Sequence, residues 1–228
     1  VSRVSAPGHS PSLRSPLICF DLDGTLVDSG PGIRASVLLA AQAVGLAAPD
    51  DEQLRALIGP PFPRAFRDVL GVDVATADAM MATYREVYGG GLVREVTVYD
   101  GVADVLAELA ARGDRLAVTT SKPRPFAHEV VAHVGLDKYL AGGVFGAEFD
   151  GSVEGKAAVV GLALAAHEGP VLALVGDRHH DVDGARAHGL PCVGVGWGFG
   201  GRDELVGAGA VAVVDTPAAL PAALDALR

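Results

Sequence analysis

The chain has 228 residues and a formal net charge of -10, with half of its residues apolar and a fifth charged. That apolar fraction supplies a core and excludes a disordered chain, and the length suits one large domain or one domain with an insert. The acidic balance disfavours nucleic acid and anionic membranes as partners, so a phosphate-bearing ligand would need cations gathered locally.

Residues 1 to 16 are rich in Ser and Pro and lack apolar periodicity, which reads as a flexible leader. The run Leu17 to Phe20 is too short for the apolar core of a signal peptide, and the stretch Val37 to Ala48 is too short to span a bilayer. A cytoplasmic location is the default expectation. Cys19 and Cys192 are the only cysteines. Each lies in an apolar run and reads as a small buried residue, not as part of a disulfide scaffold or zinc site.

The first strand signal, Ile18-Cys19-Phe20, breaks within one residue into Asp21-Leu22-Asp23-Gly24-Thr25. In a parallel sheet the carboxyl ends of strands face the ligand crevice, so two carboxylates at a strand end followed by a turn residue mark a candidate site. Helical signals then run from Pro31 to Gly45, Asp51 to Ile58, Pro63 to Leu70 and Thr76 to Tyr88, with no convincing strand among them. Gly89-Gly90-Gly91 loosens the chain before it returns through Tyr99-Asp100-Gly101 to a helix carrying Val102, Val105, Leu106 and Leu109, stopped at Gly113. The four helices therefore read as a bundle inserted after the first strand.

From Arg115 onward strand and helix signals alternate. Strands are expected at Leu116 to Thr119, Val144 to Gly146, Val171 to Gly176, Cys192 to Val195 and Val211 to Val214, with helices at Phe126 to Val134 and Lys156 to His167. Such alternation predicts an α/β fold with a doubly wound parallel sheet.

Three later clusters fall at element ends. Thr119-Thr120-Ser121-Lys122-Pro123 places hydroxyls and backbone N–H groups after a strand, where they suit phosphoryl oxygens as well as a helix cap. Lys156, in Glu154-Gly155-Lys156, opens a helix, where the dipole and the ammonium both favour an anion. Of the three lysines, Lys138 reads as a surface residue and Lys122 as the second choice for this anion-binding role. Gly176-Asp177-Arg178-His179-His180-Asp181 ends another strand with two aspartates four residues apart, side by side on one helix turn. Clustered carboxylates need a cation between them, and oxygen-only ligands in a phosphate site point to magnesium. A zinc site on His179 and His180 is the weaker reading, because adjacent helix residues point apart and no cysteine is near.

Taken in order, these strings resemble the four motifs of the haloacid dehalogenase-like hydrolases, in their phosphoglycolate phosphatase-like branch. The resemblance covers Leu17 to about Asp215, including the Gly196-Trp197-Gly198-Phe199-Gly200 tract. It implies a Rossmann-like core at residues 17–28 and 99–228, with an α-helical cap at 29–98. It also implies a magnesium-dependent phosphatase for a small phosphorylated metabolite. By resemblance, Asp21 is the nucleophile, Asp23 the general acid and base, and Thr120 with Ser121 the phosphate-binding pair, joined by Lys156. Asp21, the Asp23 carbonyl and Asp177 would hold Mg²⁺, with Asp181 supporting the metal through water or Lys156. Lys156 lacks the Lys-Pro-x-Pro setting of many phosphoglycolate phosphatases. Within the family, Asp23 argues against a dehalogenase, and the absence of lysine from residues 29 to 100 argues against Schiff-base phosphonate hydrolysis. A sugar-phosphate mutase keeps the same motifs. A receiver-type phospho-acceptor is the reading from a different class; it fits poorly with the insert and with a base beside the acceptor. The rigid turn Ile58-Gly59-Pro60-Pro61 resembles a loop that faces the site in relatives, with Arg64 placed to meet an anionic leaving group such as the carboxylate of phosphoglycolate; the equal alternative is that the turn only ends a helix and Arg64 is solvated.

Overall fold

The computed structural model describes residues 15–60 and 62–228, so most of the expected leader, and Pro61 within the expected turn, lie outside the described residues. Strand β1 (Leu17–Phe20) is followed by the two-residue β2 (Val27–Asp28). Helices α1 (Gly30–Ala43), α2 (Asp51–Ala56), α3 (Arg64–Leu70) and α4 (Val74–Gly89) come next, then β3 (Thr97–Val98). The ordinary start signals hold here. Pro31 lies in the first turn of α1, Asp50 and Gln53 form a capping box on α2, and the Asp73 carboxylate accepts from the Thr76 N–H at the start of α4.

The second half runs α5 (Val102–Ala111), β4 (Arg115–Pro123), α6 (Arg124–His133), β5 (Gly143–Ala147), α7 (Lys156–Ala165), β6 (Val171–Gly176) and α8 (His179–Arg186). It ends with β7 (Cys192–Val195), α9 (Arg202–Ala208), β8 (Ala212–Val214) and α10 (Leu220–Asp225). Six strands form one sheet in the order β5-β4-β1-β6-β7-β8, and every pairing in it is parallel. From β1 the chain builds outward to β4 and β5 on one side and to β6, β7 and β8 on the other. This is the expected doubly wound sheet, with its topological switch at β1.

Strand alternation divides the core. Ile18, Phe20, Val118 and Val175 face one cluster of buried apolar residues, which continues into the helical segment through Leu57, Met80, Tyr84 and Tyr88. Leu17, Cys19, Ala117 and Leu174 face the other side, against Val160, Ala163 and Val182. This is the period of two that a strand buried on both faces requires. Both cysteines are free and buried. Among the described residues no helix is long and apolar enough to cross a membrane.

A short ribbon that was not among the expected elements flanks the four helices. Val27 and Asp28 pair antiparallel with Val98 and Thr97, so the chain leaves and re-enters through a short ribbon. Two residues per strand carry too little alternation to register as a pattern. Strand β4 also runs to Pro123, past the expected end at Thr119, because a register shift between Thr120 and Pro123 keeps its last residues on β5.

Candidate active site

Register brings the motif residues to one edge. Phe20 pairs with Val118 of β4 and Val175 of β6, and the Asp21 N–H donates to the Val175 carbonyl at 2.8 Å. Asp21, Thr120 and Asp177, each one or two residues further along, therefore emerge at the same carboxyl edge. Asp21 and Thr120 are almost fully buried, and Asp177 is completely so.

Lys156 sits at the centre. Its Nζ lies 2.7 Å from Asp21 Oδ1 and 2.7 Å from Asp181 Oδ1, and donates to the Thr119 carbonyl at 2.9 Å. Burial opposes its charge, but Asp181 and Asp21 outweigh that and raise its pKa. The close approach of α7 to α8 that seats this lysine requires Gly184, where a Cβ would come within 2.4 Å of Lys156 Cγ.

Asp21, Asp177 and Asp181 each offer an oxygen, and all three lie within 4.8 Å of one another. At that separation each like-charged pair repels by about 3 kcal/mol or more at an effective dielectric of about 20. Burial, aided by the charges of Asp181 and Asp23, pushes the Asp21 carboxyl up to about 6 despite Lys156, and burial followed by the charges of Asp181 and Asp21 raises Asp177 as well. One lysine does not neutralise three carboxylates. An all-oxygen set of this charge fits a hard divalent cation such as Mg²⁺. Asp181 is thus paired directly with Lys156.

Lys122 has a different partner from Lys156. Its Nζ is 2.9 Å from Asp23 Oδ2 and donates to the Tyr88 hydroxyl at 2.7 Å, so it serves the second aspartate and not the first. Asp23 Oδ1 is buried without a hydrogen-bond partner. The Thr120 hydroxyl accepts from the Lys122 N–H at 3.2 Å, and Thr120 and Ser121 both line the adjoining cavity.

The tract after β7 contributes to the site in a way that spacing does not reveal. The Phe199 N–H donates to Asp177 Oδ2 at 2.7 Å, the Thr25 hydroxyl donates to its Oδ1 at 3.4 Å, and Trp197 Nε1 donates to the Thr25 carbonyl at 3.1 Å. Gly198 passes so close that a Cβ would lie 2.4 Å from both the Asp177 side chain and the Gly24 carbonyl. Gly198→Ala should therefore displace Asp177. The expected result is a fall in kcat/KM of at least ~ten-fold, with a stability loss of about 1–3 kcal/mol by denaturant titration. Unchanged values for both would show that this tract is not tightly coupled to Asp177.

A cavity of about 290 Å³ opens beside Asp21 and Asp23. Leu57, Gly59 and Pro60 line it, so the expected turn faces the site. The Arg178 guanidinium donates from Nη1 to the Ile58 carbonyl at 2.7 Å, tying that turn to the β6 edge. Arg64 does not follow the turn into the cavity. Its side chain is 73% exposed and pairs with Asp68 at 3.1 Å, because the first turn of α3 turns this position to solvent. The weak zinc reading also lacks support: His179 Nδ1 lies 2.6 Å from Glu204 Oε1, and the metal-capable cluster among the described residues is the aspartate trio.

A model of the haloacid dehalogenase-like hydrolases matches residues 18–195. A 5'-nucleotidase of Pseudomonas aeruginosa is 40% identical over 199 residues, covering 85% of this chain and 88% of that protein. Tyrosine-protein kinase PtkA of Mycobacterium tuberculosis is 40% identical over 204 residues, covering 88% of this chain and 67% of that protein. A plasmid phosphoglycolate phosphatase of Cupriavidus necator is 35% identical, covering 95% and 96%. Among solved structures, a predicted phosphatase from Clostridium acetobutylicum superposes with a TM-score of 0.88 at 32% identity, over 93% of this chain and 99% of that one. With its sheet order, its strand-end aspartates and these matches, the chain belongs to the haloacid dehalogenase-like hydrolases, with phosphatases among its relatives.

Proposed function

We propose that the protein is a magnesium-dependent phosphatase that hydrolyses a small phosphate monoester through an aspartyl-phosphate on Asp21. The observation that carries this reading is the division of labour between the two lysines. Lys156 holds Asp21 within the aspartate cluster, while Lys122 holds Asp23 on the cavity side. Phosphate monoesters hydrolyse so slowly unaided that the enzyme must lower the barrier by on the order of 20 kcal/mol, more than one group supplies.

Asp21 attacks phosphorus, the bond from phosphorus to the leaving oxygen breaks, and Asp23 gives that oxygen its proton. Asp23 then takes a proton from water as the water oxygen attacks the aspartyl-phosphate. Inorganic phosphate leaves and Asp21 is restored. With Oδ2 held by Lys122, Asp23 Oδ1 is the atom free for both transfers. Thr120, Ser121 and Lys156 hold the non-bridging oxygens. Asp21 and Asp177, with the Asp23 carbonyl, would hold Mg²⁺, and Asp181 keeps Lys156 in place. When bound, the ion offsets the repulsion between carboxylate and phosphate.

In this reading residues 29–98 act as a cap on a core formed by 17–28 and 99–228, with the β2–β3 ribbon as the crossing between them. Arg64, paired with Asp68 on the surface, has no role in it. Phosphoglycolate is the smallest candidate substrate. Its carboxylate would need a cation, and among the described residues Lys122 and Arg85 are the cations that line the cavity.

The test is Asp23→Asn measured with phosphate release as the readout, which also separates hydrolysis from transfer to another acceptor. Turnover of alkyl phosphates should fall by about two to four orders of magnitude, and formation of the phosphoenzyme should fall least for substrates with acidic leaving groups. Equal losses across leaving groups of widely different pKa would remove Asp23 as the acid.

A further inference from the structure

The chain holds seven Phe, four Tyr and one Trp. Phe62, Tyr84, Tyr88, Phe126 and Phe149 all line the one cavity beside Asp23. They form a continuous series of ring contacts: Phe62 to Tyr84 at 4.8 Å between centroids, Tyr84 to Tyr88 at 5.3 Å, Tyr88 to Phe126 at 5.2 Å, and Phe126 to Phe149 at 5.2 Å. The middle of the series lies next to the chemistry, because the Tyr88 hydroxyl and Asp23 share Lys122. It ends at the cavity mouth with Phe149, which is 39% exposed.

The charges around this wall have the wrong balance for an anionic leaving group. Besides Asp21 and Asp23, the lining carries Asp150, Glu154 and Glu148, the last paired with Arg124 at 2.8 Å, against Lys122 and Arg85. Lys122 is already committed to Asp23. The Arg85 guanidinium lies 5.1 Å from the centre of the Phe149 ring and donates to the Phe149 carbonyl at 3.3 Å. A two-carbon carboxylate would leave most of about 290 Å³ filled by water against aromatic walls. A flat, uncharged ring would displace that water and meet ring faces and edges.

We propose that this cavity is a subsite for an uncharged aromatic ring on the leaving group, so that the protein selects phosphate monoesters of ring-bearing alcohols over phosphoglycolate and aliphatic phosphates. The inference rests on the phosphatase reading above. A nucleobase and a simple aryl ring share this chemistry, and matched substrate pairs separate them. A nucleoside 5'-monophosphate and ribose 5-phosphate differ in the base, while benzyl phosphate and ethyl phosphate differ in a phenyl ring; within each pair the leaving alkoxides have similar basicity.

With Mg²⁺ present, kcat/KM should favour the ring-bearing member at least ~ten-fold in one pair or both, and the pair with the larger ratio identifies the kind of ring. That ratio should fall at least ~three-fold in Phe126→Leu and in Phe149→Ala, the latter at an exposed position where folding is not at risk. Phosphoglycolate should rank below the favoured ring-bearing substrate. Ratios near one in both pairs, ratios unmoved by either variant, or phosphoglycolate as the best substrate would overturn the subsite. Failure to turn over any of the five phosphates would instead overturn the phosphatase reading on which it rests.

Discussion

Asp21→Asn should lower turnover by roughly four to six orders of magnitude, the loss expected when a covalent nucleophile is removed. An amide has the carboxylate's shape but no charge with which to attack phosphorus. The fold should survive. The substituted amide would still fit between Lys156 and the β6 edge, and losing one of three clustered negative charges relieves repulsion that costs the native state. Lys156 would keep Asp181 and the Thr119 carbonyl as partners. Circular dichroism and thermal unfolding of the variant check the fold, and steady-state phosphate release checks the loss. A folded Asp21→Asn protein with turnover within ~ten-fold of the parent would assign the nucleophile elsewhere.

Removing Mg²⁺ with excess chelator should abolish activity, and adding it back should restore it. Asp177→Ala should raise the Mg²⁺ concentration for half-maximal activity by at least about 100-fold, since one of few anionic ligands is lost. Lys156→Ala should move that concentration much less. It deletes a cation from the acidic cluster, so its effect should fall on phosphate binding, as a raised KM and a weaker inhibition by inorganic phosphate. Titration calorimetry of Mg²⁺ into the proteins reads the same contrast without turnover. Asp177→Asn guards against a packing artefact in the alanine variant, because its side chain still offers an acceptor to the Phe199 N–H. Full activity in chelator, or equal Mg²⁺ requirements in Asp177→Ala and Lys156→Ala, would contradict the metal assignment.

The sheet was legible because its strands are buried on both faces and end in abrupt polar breaks. Val171 to Gly176 and Cys192 to Val195 begin and end where the apolar runs do. The candidate site was legible for a related reason: each side chain proposed for it stands at or near an element end, where a carboxylate, hydroxyl or lysine interrupts an apolar pattern. The partners that orient these groups were harder to see. Nothing in the spacing of Lys122 links it to Asp23 and Tyr88, because three separate elements converge there. The glycine-rich tract at 196–200 resembled a family feature, but its backbone hydrogen bond to Asp177 depends on β6 and β7 lying side by side.

The aromatic wall shows the same limit. Tyr84 and Tyr88 lie in one expected helix and Phe126 begins another, while Phe62 and Phe149 lie outside every expected element. Only the fold brings α4, the start of α6 and the loop after β5 around one cavity. Arg64 failed in the opposite direction. Its distance from the Gly59-Pro60 turn is short in sequence, but the first turn of α3 rotates it away to Asp68.

The most direct test of the account is to trap the phosphoenzyme. Acid quench within the first turnover, followed by digestion and mass spectrometry at low pH, should find one phosphoryl group on the peptide that contains Asp21. The adduct should form with Mg²⁺, be absent from Asp21→Asn, and accumulate to a higher level in Asp23→Asn when the substrate has a good leaving group, because the second step then lacks its base. A phosphoryl group on a different residue, or phosphate release in the first turnover with no protein-bound phosphoryl group at any quench time, would contradict an aspartyl-phosphate on Asp21.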